Sequence, residues 1–509
     1  GRQQPAAASQ QPAAASTRSS SQPRIMPRTS PGHLRHSSDE QFAANMSGEV
    51  LRMMRHAWGG YRNTSWGRDT SSPVSGGRGQ NWLNMGATII DAFSTLWLMS
   101  LKDRSFVEEV ERAADWIASE LRFNATEKDV SFFETTIRII GGLNAAHSLT
   151  GRRFFLERSA DLGMRFLTAF GTDHVSPDDL AEGRVGIDAL RGLPQSNIDP
   201  KNGNKHRHGW VNGINLAEAG THQLEFRYLA QQTGDTRFAE LSDGAVDLIF
   251  AASGGHGLVP NTIDPEGRRF TGSLYTMGAT EDSYYEYLLK VWIQGGKVDA
   301  EHLRRWKLAV REMSQKLVRK DARGLTYLGT SEGDTMEHLA CFVPGMLING
   351  VYQLPPGEAP QEWAALAAEL AHTCHEMYAQ SPIGLGPESW RFSKRKNMTI
   401  YEGKMILRPE AVESWYYMWY YTGDPKYRRW AADAVANYNR WSKRDYGYAP
   451  LSDVRSPRGI ESDSSESFFF AETLKYLFLI FQEREFFSLD DWVFNTEAHP
   501  VRVLKPKGR

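Results

Sequence analysis

The stretch YYTGDPKY, residues 420–427, recurs in altered form as QQTGDTRF (231–238) and HSLTGRRF (147–154). Each copy has a Thr-Gly step followed by a basic residue and an aromatic residue. Apolar residues recur every three or four positions after about residue 41, which is typical of amphipathic helices. Because glycine adopts the left-handed conformation that ends a helix, the copies predict one repeated helix–turn–helix connection. The stretch VWIQGG (291–296) predicts a further helix end of this kind.

Acidic residues lie well upstream of these glycines. Glu134 precedes Gly151 by 17 residues, and Glu410 precedes Gly423 by 13. Since an α-helix rises 1.5 Å per residue, 13 residues span about 20 Å, so each leading acid lies at the end of its helix opposite the glycine. Hairpins packed side by side with one polarity would bring these ends to one rim. The pattern therefore predicts an all-α closed toroid with an acidic mouth. The alternative is that the acids only stabilise the first turns of solvated helices.

Composition and length set the broad class. The 509 residues include 59 basic and 61 acidic ones, and this balance does not favour a nucleic-acid partner. Residues 1–40, rich in Ala, Gln, Ser, Pro and Arg, predict a flexible linker or stem, and residues 41–509 predict a single helical domain. No apolar run reaches the roughly 20 residues that span a bilayer. The chain begins at Gly1 rather than methionine, so we expect that an N-terminal signal or anchor could have been removed.

Carboxylates occur in pairs on single helix faces beside aromatic residues. Asp282 and Glu286 are four residues apart, and Glu410 and Glu413 are three apart. Further acids in apolar surroundings are Asp91, Glu134, Glu466 and Glu472. Many carboxylates in one cavity must raise their pKa, pair with an arginine or meet a cation. Glycoside hydrolysis uses such a set, because one protonated carboxyl acts as the acid while another carboxylate activates water or attacks directly.

Other chemistries fit the sequence less well. It has no phosphate-binding P-loop, no Rossmann glycine fingerprint and no G-x-S-x-G nucleophile. The scattered histidines His56, His222, His338 and His499 do not follow zinc-ligand spacing. His338, in MEHLACFVPG, is the histidine with a candidate role. The two cysteines are compatible with two buried thiols or with one bridge. Four Asn-x-Ser/Thr acceptors favour a secretory compartment modestly: Asn45, Asn63, Asn124 and Asn397.

A family resemblance is carried by nine stretches that occur in one order from about residue 50 to residue 500. They are HAWGGYRNTSWGRD, GATIIDAFSTLWLMSL, FFETTIRIIGGL, LAEAGTHQLEFRYL, DSYYEYLLKVWIQGG, HLACFVPG, LRPEAVES, ESFFFAETLKYLFLIF and DWVFNTEAHP. Together they resemble the class I α-mannosidases, glycoside hydrolase family 47, which trim α-1,2-linked mannose from N-glycans. The resemblance implies an (αα)7 barrel with short β-hairpins and loops at one end, inversion of configuration, and a calcium ion (Ca²⁺) at the base of the barrel.

The same resemblance assigns roles to single residues. Glu134 matches the general acid, Glu410 the carboxylate proposed as general base, and Asp282 a third acid essential to turnover. Thr496 matches the threonine that binds calcium, and waters and sugar hydroxyls would complete the six to eight oxygen ligands of the ion. Arg408 is expected to keep Glu410 ionised. The matches to substrate-pocket positions are Asp91, Arg138, Glu218, Glu286, His338, Arg408, Glu413, Phe468, Glu472 and Glu497.

The resemblance also implies a disulfide between Cys341 and Cys374. We expect a monomeric exo-α-1,2-mannosidase that acts on high-mannose N-glycans in the lumen of the endoplasmic reticulum or Golgi. It would be either secreted or, in full length, a type II membrane protein. The alternative is a lectin-like quality-control relative with weak hydrolysis, which the presence of all principal acids disfavours. At Thr280, relatives of the endoplasmic reticulum that remove one mannose carry arginine, so threonine predicts the removal of several.

Overall fold

The computed structural model describes residues 37–123, 129–209, 211–456 and 458–504. Residues 1–36 of the predicted linker and the acceptor Asn124 lie outside the described residues. The first helix begins at Ser37, slightly before the predicted start of the domain. The α-helices are α1 (Ser37–Thr64), α2 (Ala87–Ser100), α3 (Val107–Ser119), α4 (Phe132–Thr135), α5 (Gly141–Thr150), α6 (Arg153–Leu167), α7 (Pro177–Ala181), α8 (Leu216–Gly220), α9 (Gln223–Thr233), α10 (Arg237–Ala252), α11 (Asp282–Gln294), α12 (Ala300–Lys316), α13 (Val343–Gln353), α14 (Gln361–Ala379), α15 (Glu410–Thr422), α16 (Lys426–Asn437) and α17 (Leu474–Ile480).

Seven helices form an inner ring. In ring order they are α2, α5, α9, α11, α13, α15 and α17, and each contacts the next, with α17 returning to α2. Each inner helix packs against an outer partner, in the same order α3, α6, α10, α12, α14, α16 and α1. This closed ring of seven helix pairs, six of them hairpins and one formed by α17 with α1, confirms the predicted (αα)7 barrel.

The inner helices are apolar on every side because both of their faces are covered. All 11 residues of α13 are buried, and α15 buries every residue from Ala411 to Tyr421. A helix that is hydrophobic all round belongs inside a protein, whereas the outer helix α16 buries only a stripe of its residues. Among the described residues, no helix combines the length and the apolar character needed to cross a bilayer.

The repeated glycines end inner helices in the predicted way. Gly151, Gly234 and Gly423 follow α5, α9 and α15 with φ angles of 69°, 80° and 67°. The end of α11 differs in detail, because Gly295 has a φ of −70° and the left-handed residue is Gly296, with a φ of 74°. The glycines therefore turn the chain from the inner ring to the outer ring.

Three π-helical segments interrupt this regular pattern. Thr136–Ile140 joins α4 to α5, Phe469–Thr473 leads into α17, and Tyr438–Ser442 follows α16. Single π-helical turns inside α-helices often occur at functional sites. The first two segments lie in the inner ring and contain Arg138 and Glu472. Short 3₁₀ segments are Arg104–Phe106, Ile187–Leu190, Leu339–Phe342 and Arg484–Phe486.

The strands of the described residues are short, and all of their pairings are antiparallel. The strands are β1 (Val130–Ser131), β2 (Asn197–Ile198), β3 (Lys205–His206), β4 (Ile214–Asn215), β5 (Thr262–Ile263), β6 (Val318–Lys320), β7 (Thr326–Leu328), β8 (Thr335–Glu337), β9 (Ser389–Arg391), β10 (Thr399–Glu402), β11 (Lys443–Arg444), β12 (Gly447–Tyr448), β13 (Trp492–Phe494) and β14 (Pro500–Arg502). The three-stranded sheets have the orders β1-β2-β3 and β10-β9-β8, and the two-stranded pairs are β4-β5, β6-β7, β11-β12 and β13-β14.

The turn of the β13-β14 hairpin is held by inner helices. Lys290 Nζ in α11 donates a hydrogen bond to the Asn495 carbonyl oxygen at 3.2 Å, and Lys475 Nζ in α17 donates one to the Ala498 carbonyl oxygen. Asn495 Nδ2 donates to Glu225 Oε1 in α9 at 2.8 Å. The turn of the hairpin therefore lies inside the barrel, in contact with α9, α11 and α17.

A disulfide joins the inner and outer rings. Cys341 lies in the 3₁₀ segment before α13 and Cys374 lies in α14, and their sulfur atoms are 2.06 Å apart. Both residues are fully buried. Of the two arrangements that the cysteine count allowed, the structure has the bridge.

Candidate active site

Six of the predicted site residues line one cavity of about 50 Å³. They are Asp282, Glu286, Glu410, Glu413, Glu472 and Thr496, and Ser283, Leu339 and Phe342 complete the lining. A polar cavity of this size has space for ordered water or an ion. Five carboxyl groups around so small a volume form a concentrated acidic site inside the barrel.

The acids reach this cavity because two inner helices begin at it. Asp282 is the first residue of α11 and Glu410 the first of α15, and Glu286 and Glu413 follow one turn later on the same faces. The free N–H groups and the partial positive charge of a helix N-terminus favour carboxylates there. Glu472 comes from the π-helical segment before α17. The cavity is thus built from helix starts, as the spacing to the glycine turns predicted for these helices.

Glu410 is held as an ionised carboxylate. His338 Nδ1 donates to Glu410 Oε2 at 2.7 Å, and Arg408 Nη1 lies 3.7 Å from Oε1. Burial opposes ionisation, but His338 and Arg408 outweigh it, so the pKa of Glu410 lies below its ordinary value. The Tyr378 hydroxyl lies 2.9 Å from His338 Nε2. Because the carboxylate can only accept, His338 donates from Nδ1, and Nε2 is left to interact with Tyr378.

Arg408 has a closer partner than Glu410. Its Nε and Nη2 each donate to the carboxylate of Glu388 at 2.7 Å, in the bidentate geometry that suits a guanidinium. Glu388 therefore fixes the position of the Arg408 guanidinium, which interacts with Glu410 at the longer distance of 3.7 Å.

Three of the other four carboxyl groups of the cavity are pushed toward their neutral forms. Burial raises the pKa of Asp282 to about 7 and that of Glu413 to about 8, and neighbouring negative charges add to both shifts. Burial and neighbouring acids raise the pKa of Glu472 well above its ordinary value. Glu286 instead pairs with Lys290. The cavity therefore combines one well-compensated carboxylate, Glu410, with acids that retain protons near neutral pH.

A second cluster of predicted residues surrounds Arg138. Its Nε donates to Glu134 Oε2 at 2.8 Å, while its Nη1 pairs with Glu497 and lies 3.5 Å from Asp91 Oδ2. The guanidinium carbon lies 5.8 Å from the centre of the Phe468 ring, within range of a cation–π contact. One buried arginine thus organises three acids that the sequence places far apart.

Asp91 is fully buried but remains compensated. His499 Nε2 donates to Asp91 Oδ1 at 3.0 Å, and Ser467 Oγ donates to Oδ2. Burial opposes ionisation, yet the His499 hydrogen bond and the charge of Arg138 hold the pKa of Asp91 below its usual range. Burial lowers the pKa of His499 to about 4, so its ring is a neutral donor.

Glu218 is not among the residues that line the cavity. It lies in α8, where Ser196 Oγ donates to Oε2 at 2.8 Å and His208 Nε2 lies 2.9 Å from Oε1. Ser196 and His208 belong to the long connection between α6 and α8. The contacts of Glu218 therefore attach α8 to this connection, and Glu218 lies apart from the acids that line the cavity.

Three residues beside the acids have strained backbone. Thr280, Leu407 and Ala498 have φ angles of 78°, 70° and 57°, in the left-handed region that favours glycine. Such residues cost roughly 1–3 kcal/mol each and persist where the surroundings determine the backbone, often at functional sites. Thr280 and Leu407 directly precede the turns that start α11 and α15. The strain therefore lies at the entries to the helices that carry Asp282 and Glu410.

The cavity residues suit a hard cation. Calcium prefers oxygen ligands, and the cavity offers five carboxyl groups together with Thr496. A cation there would lower the raised pKa values of Glu413 and Glu472, because a nearby positive charge favours the ionised form. The oxygen atoms of Thr496 and of these acids therefore fit the donor set of such a cation.

The family follows from comparison with known proteins. The sequence profile of glycosyl hydrolase family 47 matches residues 53–503. The chain belongs to this family. A mannosyl-oligosaccharide 1,2-alpha-mannosidase of Arabidopsis thaliana is 36% identical over 464 residues, which cover 90% of this chain and 78% of that protein. The endoplasmic reticulum mannosyl-oligosaccharide 1,2-alpha-mannosidase of Homo sapiens is 37% identical over 474 residues, which cover 90% of this chain and 64% of that protein.

A solved structure shares the family 47 fold. The alpha-1,2-mannosidase from Trichoderma reesei superposes with a TM-score of 0.79 at 24% identity, covering 91% of this chain and 99% of that one. This similarity supports the barrel described above. The protein is accordingly a glycoside hydrolase, as the paired acids of the sequence predicted.

Several residues of this family 47 site were not predicted from the sequence. They are Glu388, Tyr378, Lys290, Lys475, Asn495, Ser467 and His499. A signal existed for the two lysines, because each interrupts an otherwise apolar helix, as in LKYLFLI. No such signal existed for Glu388, which lies in a loop just before β9 and meets Arg408 only through the tertiary fold.

Three of the four predicted glycosylation acceptors lie in described parts of the chain. Asn45 and Asn63 are exposed on α1, and Asn397 is exposed in the connection between β9 and β10. Because acceptor sites are typical of surface loops, Asn397 has the most suitable setting.

Proposed function

We propose that this protein is an inverting, calcium-dependent exo-α-1,2-mannosidase that removes terminal α-1,2-linked mannose from high-mannose N-glycans. The observation that carries the proposal is a contrast at one cavity. The pKa of Glu410 is lowered, whereas that of Asp282 is about 7. Environments that drive neighbouring carboxyl groups apart in pKa leave Glu410 ionised, as a base for water must be, while Asp282 keeps a proton beside it. The names of the Arabidopsis and human relatives support the same bond type.

Glu410 is the general base in this proposal. Its lowered pKa keeps it ionised at neutral pH, and it lines the cavity where a water can reach it. It takes a proton from the water that attacks the anomeric carbon, while His338 and Arg408 hold the carboxylate in place. Inversion requires the acid and base to stand about 6.5–9.5 Å apart so that this water fits between the base and the sugar.

Glu134 is the proposed general acid. The Glu134 side chain is 32% exposed to solvent, so it faces the open side of the site, where the leaving sugar can lie. Arg138 Nε holds Glu134 Oε2 at 2.8 Å and so positions the carboxyl group, which as general acid gives its proton to the glycosidic oxygen. Asp282 is the third essential acid, and its pKa of about 7 lets it carry a proton beside the cavity.

Calcium would be held at the cavity by Thr496 with water, close to Glu413 and Glu472. When bound, the ion would supply a fixed positive charge that coordinates sugar hydroxyl groups and orients the ring. Glu413 would bind the sugar and its water shell from the same side. Without a cation the pKa of Glu413 is about 8, and a bound cation would favour its ionised form, so binding of the ion would release the proton of Glu413.

The secretory lumen is the proposed location, with residues 41–509 acting as one monomeric catalytic domain after a linker. The disulfide between Cys341 and Cys374 supports an oxidising compartment. The name of the human relative points to the endoplasmic reticulum. Asn397 offers an exposed acceptor for a glycan added there.

A panel of linkage-defined substrates tests the proposal. Mannobioses with α-1,2, α-1,3 and α-1,6 links and one high-mannose glycan are each incubated with enzyme and Ca²⁺, and free mannose is measured over time. We expect release from the α-1,2 substrate and from the glycan, and none from the other links. Release from α-1,3 or α-1,6 links would refute the assigned specificity. Glycan binding without release would favour the lectin-like alternative.

A leaving-group comparison separates the acid from the base. A mannoside with an activated leaving group needs no protonation, so Glu134→Gln should recover much of its rate on that substrate. Glu410→Gln should remain slow on both, because activation of water is still required. Equal losses for Glu134→Gln on both substrates would remove Glu134 from the acid role.

A further inference from the structure

A cluster of metal-ligating side chains lies on the outer ring, apart from the carboxylate cavity. His372, His375 and Glu376 lie on α14 at spacings of three and four residues, so their side chains share one face of the helix. One ligand atom of each lies within 4.8 Å of the others. Two imidazoles and a carboxylate are the donor set that zinc and related ions prefer.

His375 has a free coordination position. Its Nδ1 is buried and makes no hydrogen bond among the described residues, and it lies 3.9 Å from Glu376 Oε1. Two ligands of one tetrahedral zinc ion, each about 2.1 Å from the metal, lie about 3.4 Å apart. A small side-chain adjustment would therefore bring both atoms to one ion.

Neighbouring residues hold two of these ligands in place. The His375 ring stacks on Trp430 of α16, with ring centres 4.2 Å apart and planes 14° apart. Gln380 Nε2 donates to Glu376 Oε2 at 2.6 Å and leaves Oε1 turned toward His375. Outer partners of this kind orient metal ligands and raise affinity. Cys374, next to His375, is fixed by the disulfide.

We propose that His372, His375 and Glu376 form a binding site for a divalent transition-metal ion of the zinc class on the outer surface of the barrel. His372 is exposed, so the ion stays open to solvent and water takes its fourth position. The site differs in chemistry from the carboxylate cavity, because nitrogen ligands favour zinc and oxygen ligands favour calcium. The ion would stabilise the C-terminal part of α14 against α16, where Trp430 supports His375.

The test is a calorimetric titration of the full chain with Zn²⁺ in a buffer that contains excess Ca²⁺ and no chelator. Excess Ca²⁺ keeps the oxygen-lined cavity occupied, so the heat reports nitrogen-containing sites. We expect one Zn²⁺ per chain and a rise in melting temperature with added Zn²⁺. Glu376→Gln should weaken Zn²⁺ binding at least tenfold. Gln380→Leu should weaken it by about 10–100-fold, because it removes the hydrogen bond that orients Glu376. His174→Ala, which alters an exposed histidine elsewhere, should bind as the wild type does.

Two results would overturn the proposal. One is a wild-type titration with no saturable binding of Zn²⁺. The other is unchanged stoichiometry and affinity in the His372→Ala/His375→Ala variant. If that double variant does not fold, Glu376→Gln gives the same decision, because glutamine preserves the size of the side chain and its contact with Gln380 while removing the charged ligand. Unchanged Zn²⁺ affinity in a folded Glu376→Gln protein would contradict the site.

Discussion

Replacement of Glu410 by glutamine is the perturbation that best separates chemistry from stability at this site. The amide cannot take a proton from water, so the base is lost. The fold around it should persist, since His338 Nδ1 can still donate to the amide oxygen at the position of Oε2. Arg408 keeps both 2.7 Å hydrogen bonds to Glu388. The variant therefore removes one function with little change in packing.

The two magnitudes follow from these contacts. General acid–base catalysis contributes roughly 10²–10⁴-fold, so the rate should fall by that factor, about 2.7–5.5 kcal/mol in the barrier. The melting temperature should change little, because the lowered pKa of Glu410 means that its charge stabilises the fold, and the loss of this charge is offset in part by relief of repulsion. Burial is the largest cause of the raised pKa values of Asp282, Glu413 and Glu472, and the negative charge of Glu410 adds to each. Loss of that charge relieves repulsion within the cavity.

The assay combines initial rates on an α-1,2-linked mannobiose with thermal unfolding of the same samples. Glu362→Gln, the same change at an exposed position of outer helix α14, is the matched control and should keep both values. The reasoning is refuted if Glu410→Gln retains more than a tenth of the wild-type rate. It also fails if the variant melts far below the wild type, because Glu410 would then be structural.

The remaining predictions concern the metal, titration, the bridge and specificity. Removal of Ca²⁺, checked by elemental analysis, should lower activity and the melting temperature, since an ion at 100 times its Kd stabilises the fold by about 2.7 kcal/mol; unchanged values would exclude the metal. The pKa of Glu413 is about 8 in the folded Ca²⁺-free protein and 4.5 ordinarily, so between these pH values the folded protein keeps a proton that the unfolded chain releases. The contribution of Glu413 to the free energy of unfolding therefore falls as the pH rises from about 4.5 to about 8. The melting temperature of Ca²⁺-free Glu413→Gln, relative to that of the Ca²⁺-free wild type, should therefore rise from pH 5 to pH 8. A difference between the two melting temperatures that does not change with pH would contradict the raised pKa. Cys374→Ser opens a bridge with a sequence separation of 33 and should cost about 3–4 kcal/mol of unfolding free energy, measured by urea titration; a loss below 1 kcal/mol would count against it. Thr280→Arg should narrow the glycan products toward one dominant removal, and a wild type that already stops after one mannose would dismiss Thr280 as the determinant.

The ring of hairpins could be predicted because its signals are local. The Thr-Gly turns at 150–151 and 422–423 end helices through a backbone conformation that glycine adopts at little cost. The helix length between Glu410 and Gly423 then places the acid at the far end, which is where the cavity lies. The exact number of hairpins came from the family resemblance rather than from the periodicity.

The connections between elements could not be predicted in this way. Lys290 and Lys475 hold the turn of the β13-β14 hairpin inside the barrel, and in the sequence this turn lies far from Lys290. The bidentate partner of Arg408, Glu388, lies in a loop with no regular period. Hydrogen bonds between distant segments depend on tertiary geometry, so the sequence predicted the acids and their partners Arg138, His338 and Arg408. It did not predict the groups that position them, such as Glu388 and His499.

The anomer of the mannose released from the methyl glycoside of an α-1,2-linked mannobiose tests the central claim most directly, because the blocked reducing-end sugar cannot contribute free mannose. Proton NMR of the first minutes of reaction, in the presence of Ca²⁺, distinguishes β-mannose from α-mannose before mutarotation mixes them. The account predicts that wild-type enzyme releases β-mannose first and that Glu410→Gln releases almost none over the same time. Initial release of α-mannose would contradict an inverting mechanism, and normal release by Glu410→Gln would contradict the assignment of Glu410 as the base.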